Sequence, residues 1–151
     1  MSTEKLLLDL GGTNLRVGYG NDESLTIRDV SKVKVDSNED IFKVVNNSIN
    51  ENNINEIVFS AAGPRIENKI SMTNRSLDLD GDLLAHELKI KNCFLLNDWE
   101  SIGYSLPLMT SEDISTVKDG DIKSCQTSIA IGPGTGPVSY THLTLPTSIQ
   151  V

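Results

Sequence analysis

A pair of glycines directly after an apolar stretch is the first candidate for chemistry in this sequence. Residues 9–16 read Asp-Leu-Gly-Gly-Thr-Asn-Leu-Arg. The glycines let backbone N–H groups approach an anion closely, while the Thr13 hydroxyl and the Arg16 guanidinium can add donors. Asp9 would itself repel phosphate, so its natural role there is to hold a hydrated Mg²⁺ that bridges phosphate oxygens. A tight hairpin turn, with Asp9 as an ordinary strand-end acid, explains the same residues equally well.

A second glycine cluster, Gly132-Pro133-Gly134-Thr135-Gly136, again follows an apolar run and again includes a hydroxyl. Alone it is weaker evidence, because Gly/Pro-rich turns are more often structural than phosphate-binding. No Lys-Ser/Thr pair follows it, so it departs from the Walker pattern.

Two further strand-like segments, residues 93–96 and 56–61, are followed by residues that could bind a ligand. Ligands of open α/β sheets bind at the carboxyl ends of strands, where Asp98 could accept a proton from a hydroxyl while Asn97 orients the alcohol. Capping of the next helix by either residue is an equally good explanation. Gly63 and Pro64 follow another strand with small side chains, and Asn74 could hydrogen-bond a polyol or simply make an Asx turn.

Hydrophobic periodicity predicts the elements that must position these residues. The predicted strands are 5–10, 15–19, 25–35, 56–61, 93–96 and 127–131, with a weaker hairpin at 66–72. Three helices are predicted. The first follows Ser37, whose spacing to Asp40 approximates a capping box. The second spans 82–88, and the third runs from Asp98 to Pro107, where proline stops it. This order predicts an α/β fold with a mixed sheet and flanking helices, in which 93–96 is a central strand.

Composition and charge exclude several classes of function. The chain has 151 residues, 38% hydrophobic and 23% charged, which is typical of a globular domain. With 13 Lys and Arg against 21 Asp and Glu, its net charge of -8 repels phosphate backbones, so nucleic acid is not an expected partner. No apolar run approaches the ~20 residues of a membrane span, and we expect a cytoplasmic protein. Cys93 and Cys125 lack metal-ligand spacing, so buried thiols are expected.

Residues 137–151 stand apart from the rest of the sequence. From Val138 through Thr147 they resemble a transposase sequencing adapter read as codons, against the alternative of an ordinary β-rich C-terminus. We therefore expect a non-native tail without consistent contact to the core, no functional role for His142, and a native reading frame that continues beyond residue 136.

Taken together, the motifs resemble bacterial glucokinases, sugar kinases of the actin-like, ribonuclease H-like ATPase superfamily. The resemblance is carried by residues 9–16, Ala62-Gly63-Pro64, Thr73-Asn74, residues 96–107 and Gly132-Pro133-Gly134-Thr135-Gly136. Leu77 stands where the family usually has Trp, which affects the expected packing of the sugar rather than the reaction.

The resemblance implies ATP-dependent phosphorylation of glucose to glucose 6-phosphate, with ATP and Mg²⁺ as cofactors. It implies that Asp98 is the catalytic base and that Asp9 binds Mg²⁺ directly or through water. The implied substrate-binding residues are Asn97, Asn74, Gly63 and Pro64. The implied nucleotide-binding residues are Leu8, Asp9, Leu10, Gly11, Gly12, Thr13, Arg16, Gly134, Thr135 and Gly136. Whether the full-length protein is a homodimer is left open.

The same resemblance implies that the chain is incomplete. Residues 1–110 would be the small domain, 111–136 a linker with the first strand of the large domain, and 137–151 the tail. A sugar-binding Glu and His and the adenosine site would follow residue 136, so we expect a fragment with little or no activity.

Three other functions are compatible with parts of the sequence. The first is a kinase for another hexose or an amino sugar of the same superfamily. The second is a sugar-sensing transcription regulator, which the acidic charge and the strand that begins at residue 5 disfavour. The third is a binding module without catalysis, which Asp98 argues against.

Overall fold

The structure is a computed structural model that describes residues 4–72, 75–118, 128–132 and 138–142. The chain divides into two units, Met1–Asp98 and Trp99–Val151. The strands are β1 (Lys5–Leu10), β2 (Asn14–Asn21), β3 (Ser24–Lys34), β4 (Glu56–Ala61), β5 (Arg65–Ile66), β6 (Lys69–Met72), β7 (Leu77–Asp80), β8 (Asn92–Asn97), β9 (Ser128–Gly132) and β10 (Val138–His142), and the helices are α1 (Asn38–Asn52), α2 (Gly81–Leu88) and α3 (Asp98–Ser105). Within the described ranges no helix is long and apolar enough to cross a membrane.

The first unit is built on a five-stranded mixed sheet with the order β3-β2-β1-β4-β8. The first three strands form an antiparallel meander, whereas β4 and β8 run parallel to β1. Leu10, Ala61 and Asn97 share one register position at the carboxyl ends of the three parallel strands. The predicted α/β fold with a mixed sheet and flanking helices is confirmed.

Helix α1 begins where the capping pattern predicts. The Ser37 hydroxyl accepts a hydrogen bond of 3.2 Å from the Asp40 N–H, and the Asp40 carboxylate accepts one of 3.0 Å from the Ser37 N–H. Hydrogen bonding from Ser37 also holds the pKa of Asp40 below its usual range. Ile41, Val45 and Ile49 are buried along one face of the helix, which anchors α1 to the core.

The core follows the strand alternation of the sequence. In β1 the buried side chains alternate with half-buried ones, and β4 and β8 contribute further buried residues to the same cluster. The largest fully buried side chains are Phe59, Leu6, Leu10, Leu15, Ile41, Ile57, Ile70, Leu95 and Val35.

A second, three-stranded antiparallel sheet has the order β5-β6-β7. It contains the weakly predicted hairpin, but β7 was not predicted from the sequence. Leu77 and Leu79 are buried through pairing with β6, so this four-residue strand depends on a tertiary partner. Helix α2 follows at once, because the Asp80 side chain accepts hydrogen bonds of 3.1 Å from the N–H groups of Asp82 and Leu83.

The prediction that residues 93–96 form a central strand was wrong, because β8 lies at the edge of the five-stranded sheet. The side chain of Asn68 occupies the position of the missing neighbour. Its Nδ2 donates to the Cys93 carbonyl and its Oδ1 accepts from the Leu95 N–H, both at 3.0 Å. The amide thereby satisfies backbone groups that an edge strand would otherwise expose, which explains how an apolar strand can lie there.

The second unit contains most of α3, which ends at Ser105 before a 3₁₀ turn over Leu106–Leu108 that includes Pro107. It also contains an antiparallel pair of β9 with β10. In this pair Val138 lies opposite Gly132, and the expectation that residues 137–151 make no consistent contact with the core stays a prediction. Alternating Val, Tyr and Thr residues have high strand propensity whatever their origin, and the edge of β9 offers unpaired backbone groups.

Candidate active site

The carboxyl ends of β1, β4 and β8 lie side by side in the sheet. Because Leu10, Ala61 and Asn97 are in register, the segments that follow them emerge at the same edge. These segments carry Gly12, Gly63 and Asp98 respectively. The structure thus brings the three predicted motifs to one edge of a single mixed sheet.

The glycine loop connects β1 to β2 as a short, exposed turn. Gly11 N–H donates to the Asn14 carbonyl at 2.9 Å, and Val35 N–H donates to the Thr13 carbonyl at 3.0 Å. In the part of the chain that the structure describes, no hydrogen bond uses the N–H groups of Gly12 or Thr13, and both residues are exposed. The loop is therefore both a hairpin turn and a pair of backbone donors open to an anion.

Asp9 and Arg16 lie opposite each other on β1 and β2 and form an ion pair. Arg16 Nη1 is 2.5 Å from Asp9 Oδ2, and the side chains are 61% and 43% exposed. An exposed pair of this kind adds little to stability, since solvent screens it. Both groups remain accessible beside the glycine loop.

Asn97 is tied to the segment that follows β4. Its Nδ2 donates a hydrogen bond of 2.7 Å to the Gly63 carbonyl. A β-carbon at Gly63 would lie 2.4 Å from the Ser71 carbonyl oxygen, so this position accepts only glycine without movement. Asp98 directly follows Asn97 as the first residue of α3, and both residues make further interactions of their own.

The remaining predicted residues divide into two groups. Leu8 and Leu10 are 3% and 1% exposed in the core, so only their backbone groups could touch a nucleotide, whereas Pro64 is exposed. The other predicted residues, Asn74, Gly134, Thr135 and Gly136, lie outside the described residues.

Within the second unit, the start of the second glycine cluster packs on an aromatic ring. A β-carbon at Gly132 would lie 2.0 Å from Trp99 Cη2. The ring and the Gly132 backbone are therefore in direct contact, which requires glycine at this position. Trp99 follows Asp98 in the chain, so this contact fixes a residue next to the candidate base.

Arg75 was not predicted from the sequence as part of the site. Its Nη2 donates hydrogen bonds of 2.8 Å to the carbonyls of Gly12 and Val35. Gly12 and Arg75 are 63 positions apart in the sequence, so no local pattern could have indicated the contact.

The residues beside the loop are compatible with Mg²⁺ bound together with phosphate. Among the described residues, no group of three or more His, Cys, Asp or Glu side chains is placed so that it could hold a metal ion. Mg²⁺ does not need one, because it usually keeps several waters and takes one or two carboxylates together with substrate phosphates. The accessible carboxylate of Asp9, next to the exposed N–H groups of Gly12 and Thr13, fits that donor set.

The strand order of the five-stranded sheet, with polar groups at the carboxyl ends of its parallel strands, defines a domain of ribonuclease H-like topology. The chain has the fold of the glucokinase from an Antarctic psychrotroph, with a TM-score of 0.77 at 18% identity over 93% of this chain and 46% of that one. The glucokinase from Balamuthia mandrillaris in complex with glucose gives a TM-score of 0.64 at 21% identity over 97% of this chain and 46% of that one.

Sequence comparison identifies the family. The family model described as Glucokinase matches residues 6–140, so the chain belongs to the glucokinase family. The glucokinase of Colwellia psychrerythraea is 27% identical over 135 residues, which is 87% of this chain and 41% of that protein. The glucokinase of Synechocystis sp. is 36% identical over 78 residues, which is 52% of this chain and 22% of that protein. The chain thus spans less than half the length of these relatives.

Proposed function

We propose that the whole protein of which this chain is part phosphorylates glucose at its primary hydroxyl, with ATP as donor and glucose 6-phosphate as product. The observation that carries the proposal is the shared register of Leu10, Ala61 and Asn97, which brings the glycine loop and the Asn97-Asp98 pair to one sheet edge. Membership of the glucokinase family supports the same reaction. We further propose the cytoplasm, where ATP is supplied, as its compartment.

The glycine loop would bind the phosphates of ATP. The exposed N–H groups of Gly12 and Thr13 can donate to phosphate oxygens, and the exposed Arg16 guanidinium adds a positive charge beside the loop. Such fixed donors suit phosphoryl transfer, which relies mostly on positioning and on stabilisation of charge. Gly134, Thr135 and Gly136 would bind the same phosphates.

Asp98 would act as the general base on the sugar. A carboxylate within hydrogen-bond reach of the primary hydroxyl can accept its proton as the oxygen attacks the phosphoryl group. Asn97, whose amide is oriented by the Gly63 carbonyl, would bind a neighbouring hydroxyl. Gly63, Pro64 and Asn74 would contact the sugar as well.

Asp9 would hold Mg²⁺, directly or through water, next to the phosphates. When bound, the ion supplies neutralisation of phosphate charge. Strand β1 would keep the Asp9 carboxylate accessible near its end, and Arg16 would balance the charge of that carboxylate when no ligand is present.

The test is the turnover of the full-length protein with glucose and ATP, measured as the rate at which glucose 6-phosphate forms. Asp98→Asn keeps the shape of the side chain but removes the proton acceptor, so turnover should fall by about 10²–10⁴-fold while glucose affinity changes much less. Asp78→Asn, at an exposed position on β7, is the matched control and should be active. Near-normal turnover of the Asp98 variant would overturn the assignment of Asp98 as the general base. If the protein preferred another hexose or an amino sugar, glucose would be the wrong substrate.

A further inference from the structure

The side chain of Arg75 hydrogen-bonds to the backbone of the glycine loop between β1 and β2. Its Nη2 is 2.8 Å from both the Gly12 and the Val35 carbonyl oxygens, which are neutral acceptors rather than carboxylates. Its Nη1 is buried and has no hydrogen-bond partner in the described part of the chain. A buried donor without a partner is costly, so stability alone does not account for the position of this Nη1 atom.

The hydrogen bond to Gly12 fixes the direction of the next N–H group. A trans peptide unit is planar, so the Gly12 carbonyl and the Thr13 N–H point in opposite directions. The described residues include no cis peptide bond. While Arg75 holds the Gly12 oxygen, the Thr13 N–H must therefore point away from Arg75. Val35 secures the following peptide in the same way, since its N–H donates to the Thr13 carbonyl.

A loop with two adjacent glycines needs an anchor of this kind. Gly11 and Gly12 have access to backbone conformations closed to other residues, and neither has a positive φ in this structure. Without an external contact, the Gly12–Thr13 peptide would sample several orientations. A guanidinium suits the task better than an ammonium, because its planar fork restricts the directions of its donors.

We propose that Arg75 is a positioning residue that holds the Gly12–Thr13 peptide so that the Thr13 N–H faces the phosphate groups of a nucleotide. Its half-buried positive charge next to the loop adds attraction for the same anion. This inference rests on the proposed function for the identity of the ligand, but the orientation of the peptide can be measured without any ligand.

The test measures the ¹⁵N–¹H residual dipolar coupling of the Thr13 amide by NMR in this chain, with and without Arg75→Met. The variant removes the anchor, so the Thr13 coupling should change while the couplings of β1 and β4 amides stay constant. The affinity for magnesium pyrophosphate, followed through the Gly12 and Thr13 amide shifts, should fall about tenfold, as for the loss of a hydrogen bond to a charged group.

Arg28→Met is the matched control, because it removes the same side chain at an exposed site on β3 where it pairs with Glu4. It should leave the Thr13 coupling and the affinity unchanged. If Arg75→Met fails to fold, Arg75→Lys serves instead. A pure charge effect predicts the wild-type coupling and affinity for that lysine variant, whereas positioning predicts a shifted coupling and weaker binding.

An unchanged Thr13 coupling in a folded Arg75 variant would overturn the inference. If magnesium pyrophosphate shifts neither the Gly12 nor the Thr13 amide signal of the wild-type chain, the proposal that the glycine loop binds phosphate is wrong instead. The coupling measured without ligand still decides whether Arg75 orients the peptide.

Discussion

Asn97, the last residue of β8, donates a hydrogen bond of 2.7 Å from its side-chain amide to the carbonyl of Gly63, beyond the end of the neighbouring strand β4. This bond joins two motifs that are 34 positions apart in the sequence. It fixes which end of the Asn97 amide faces the sheet edge. The orientation of a candidate sugar-binding group therefore depends on backbone geometry at a glycine.

Gly63→Ala should destabilise the protein by about 1–3 kcal/mol, the usual cost of overpacking. The new β-carbon would lie 2.4 Å from the Ser71 carbonyl oxygen and 3.1 Å from Ile70 Cγ2, so the backbone of one segment must move. Urea denaturation gives the change in the free energy of unfolding. Gly11→Ala is the control, because its nearest neighbour would be the Asn14 oxygen at 3.7 Å, an ordinary contact. Equal stability of the two variants would contradict the prediction.

The elements that could be predicted from sequence are those encoded by local pattern. The β1–β2 hairpin follows from alternation around two glycines, and the start of α1 follows from the Ser37 and Asp40 pair. The convergence of the motifs on one edge also follows, because parallel strands place their carboxyl ends together.

The features that could not be predicted depend on contacts distant in sequence. Strand β8 lies at the sheet edge, where the side chain of Asn68 hydrogen-bonds to its backbone in place of a neighbouring strand. Strand β7 exists through pairing with β6, and the anchor of the glycine loop is Arg75. Residue type and spacing carry no local signal for any of these contacts.

Asn68→Asp should lower stability although it preserves shape. The carboxylate can still accept from the Leu95 N–H. It cannot donate to the Cys93 carbonyl, 3.0 Å from Nδ2, or to the Asp82 carboxylate, 2.8 Å from Nδ2. Loss of one partner of a buried hydrogen bond costs about 1–3 kcal/mol. Asn68→Leu, which removes all three side-chain hydrogen bonds of Asn68, should also lower stability.

Thermal or urea unfolding of both Asn68 variants measures the effect. Asn47→Asp on the exposed side of α1 is the matched control and should change stability by less than about 0.5 kcal/mol. A neutral result for Asn68→Leu would show that water satisfies the edge of β8 as well as the amide does.

Cys93 should be inert to thiol reagents in the folded protein. The side chain is 3% exposed, and burial, with the nearby Asp82 charge, raises the pKa of the thiol to about 12. At pH 8 only about 10⁻⁴ of such a thiol is thiolate, the reactive form. In a Cys125→Ser background, labelling by a disulfide reagent should be slow until urea unfolds the chain. Rapid labelling of the native protein would contradict the burial of β8.

The amino ends of the three parallel strands predict how stability depends on pH. Lys5, Glu56 and Asn92 share one register position across β1, β4 and β8. Asn92 Nδ2 donates to Glu56 at 2.7 Å, and the ammonium groups of Lys91 and Lys5 lie 3.4 and 3.5 Å from its carboxylate. The hydrogen bond from Asn92, aided by both lysines, lowers the pKa of Glu56.

A lowered pKa in the folded state means that the unfolded chain binds a proton more readily. The contribution of Glu56 to stability is therefore present in full above its unfolded pKa of about 4.3 and is lost as the pH falls through the folded pKa. Glu56→Gln should reduce the free energy of unfolding at pH 7, and its difference from the wild-type chain should shrink towards pH 3. Urea denaturation across this range measures the difference, with Glu87→Gln at an exposed position of α2 as the control. A difference that stays constant with pH would show that the Glu56 network stabilises the sheet through packing rather than through charge.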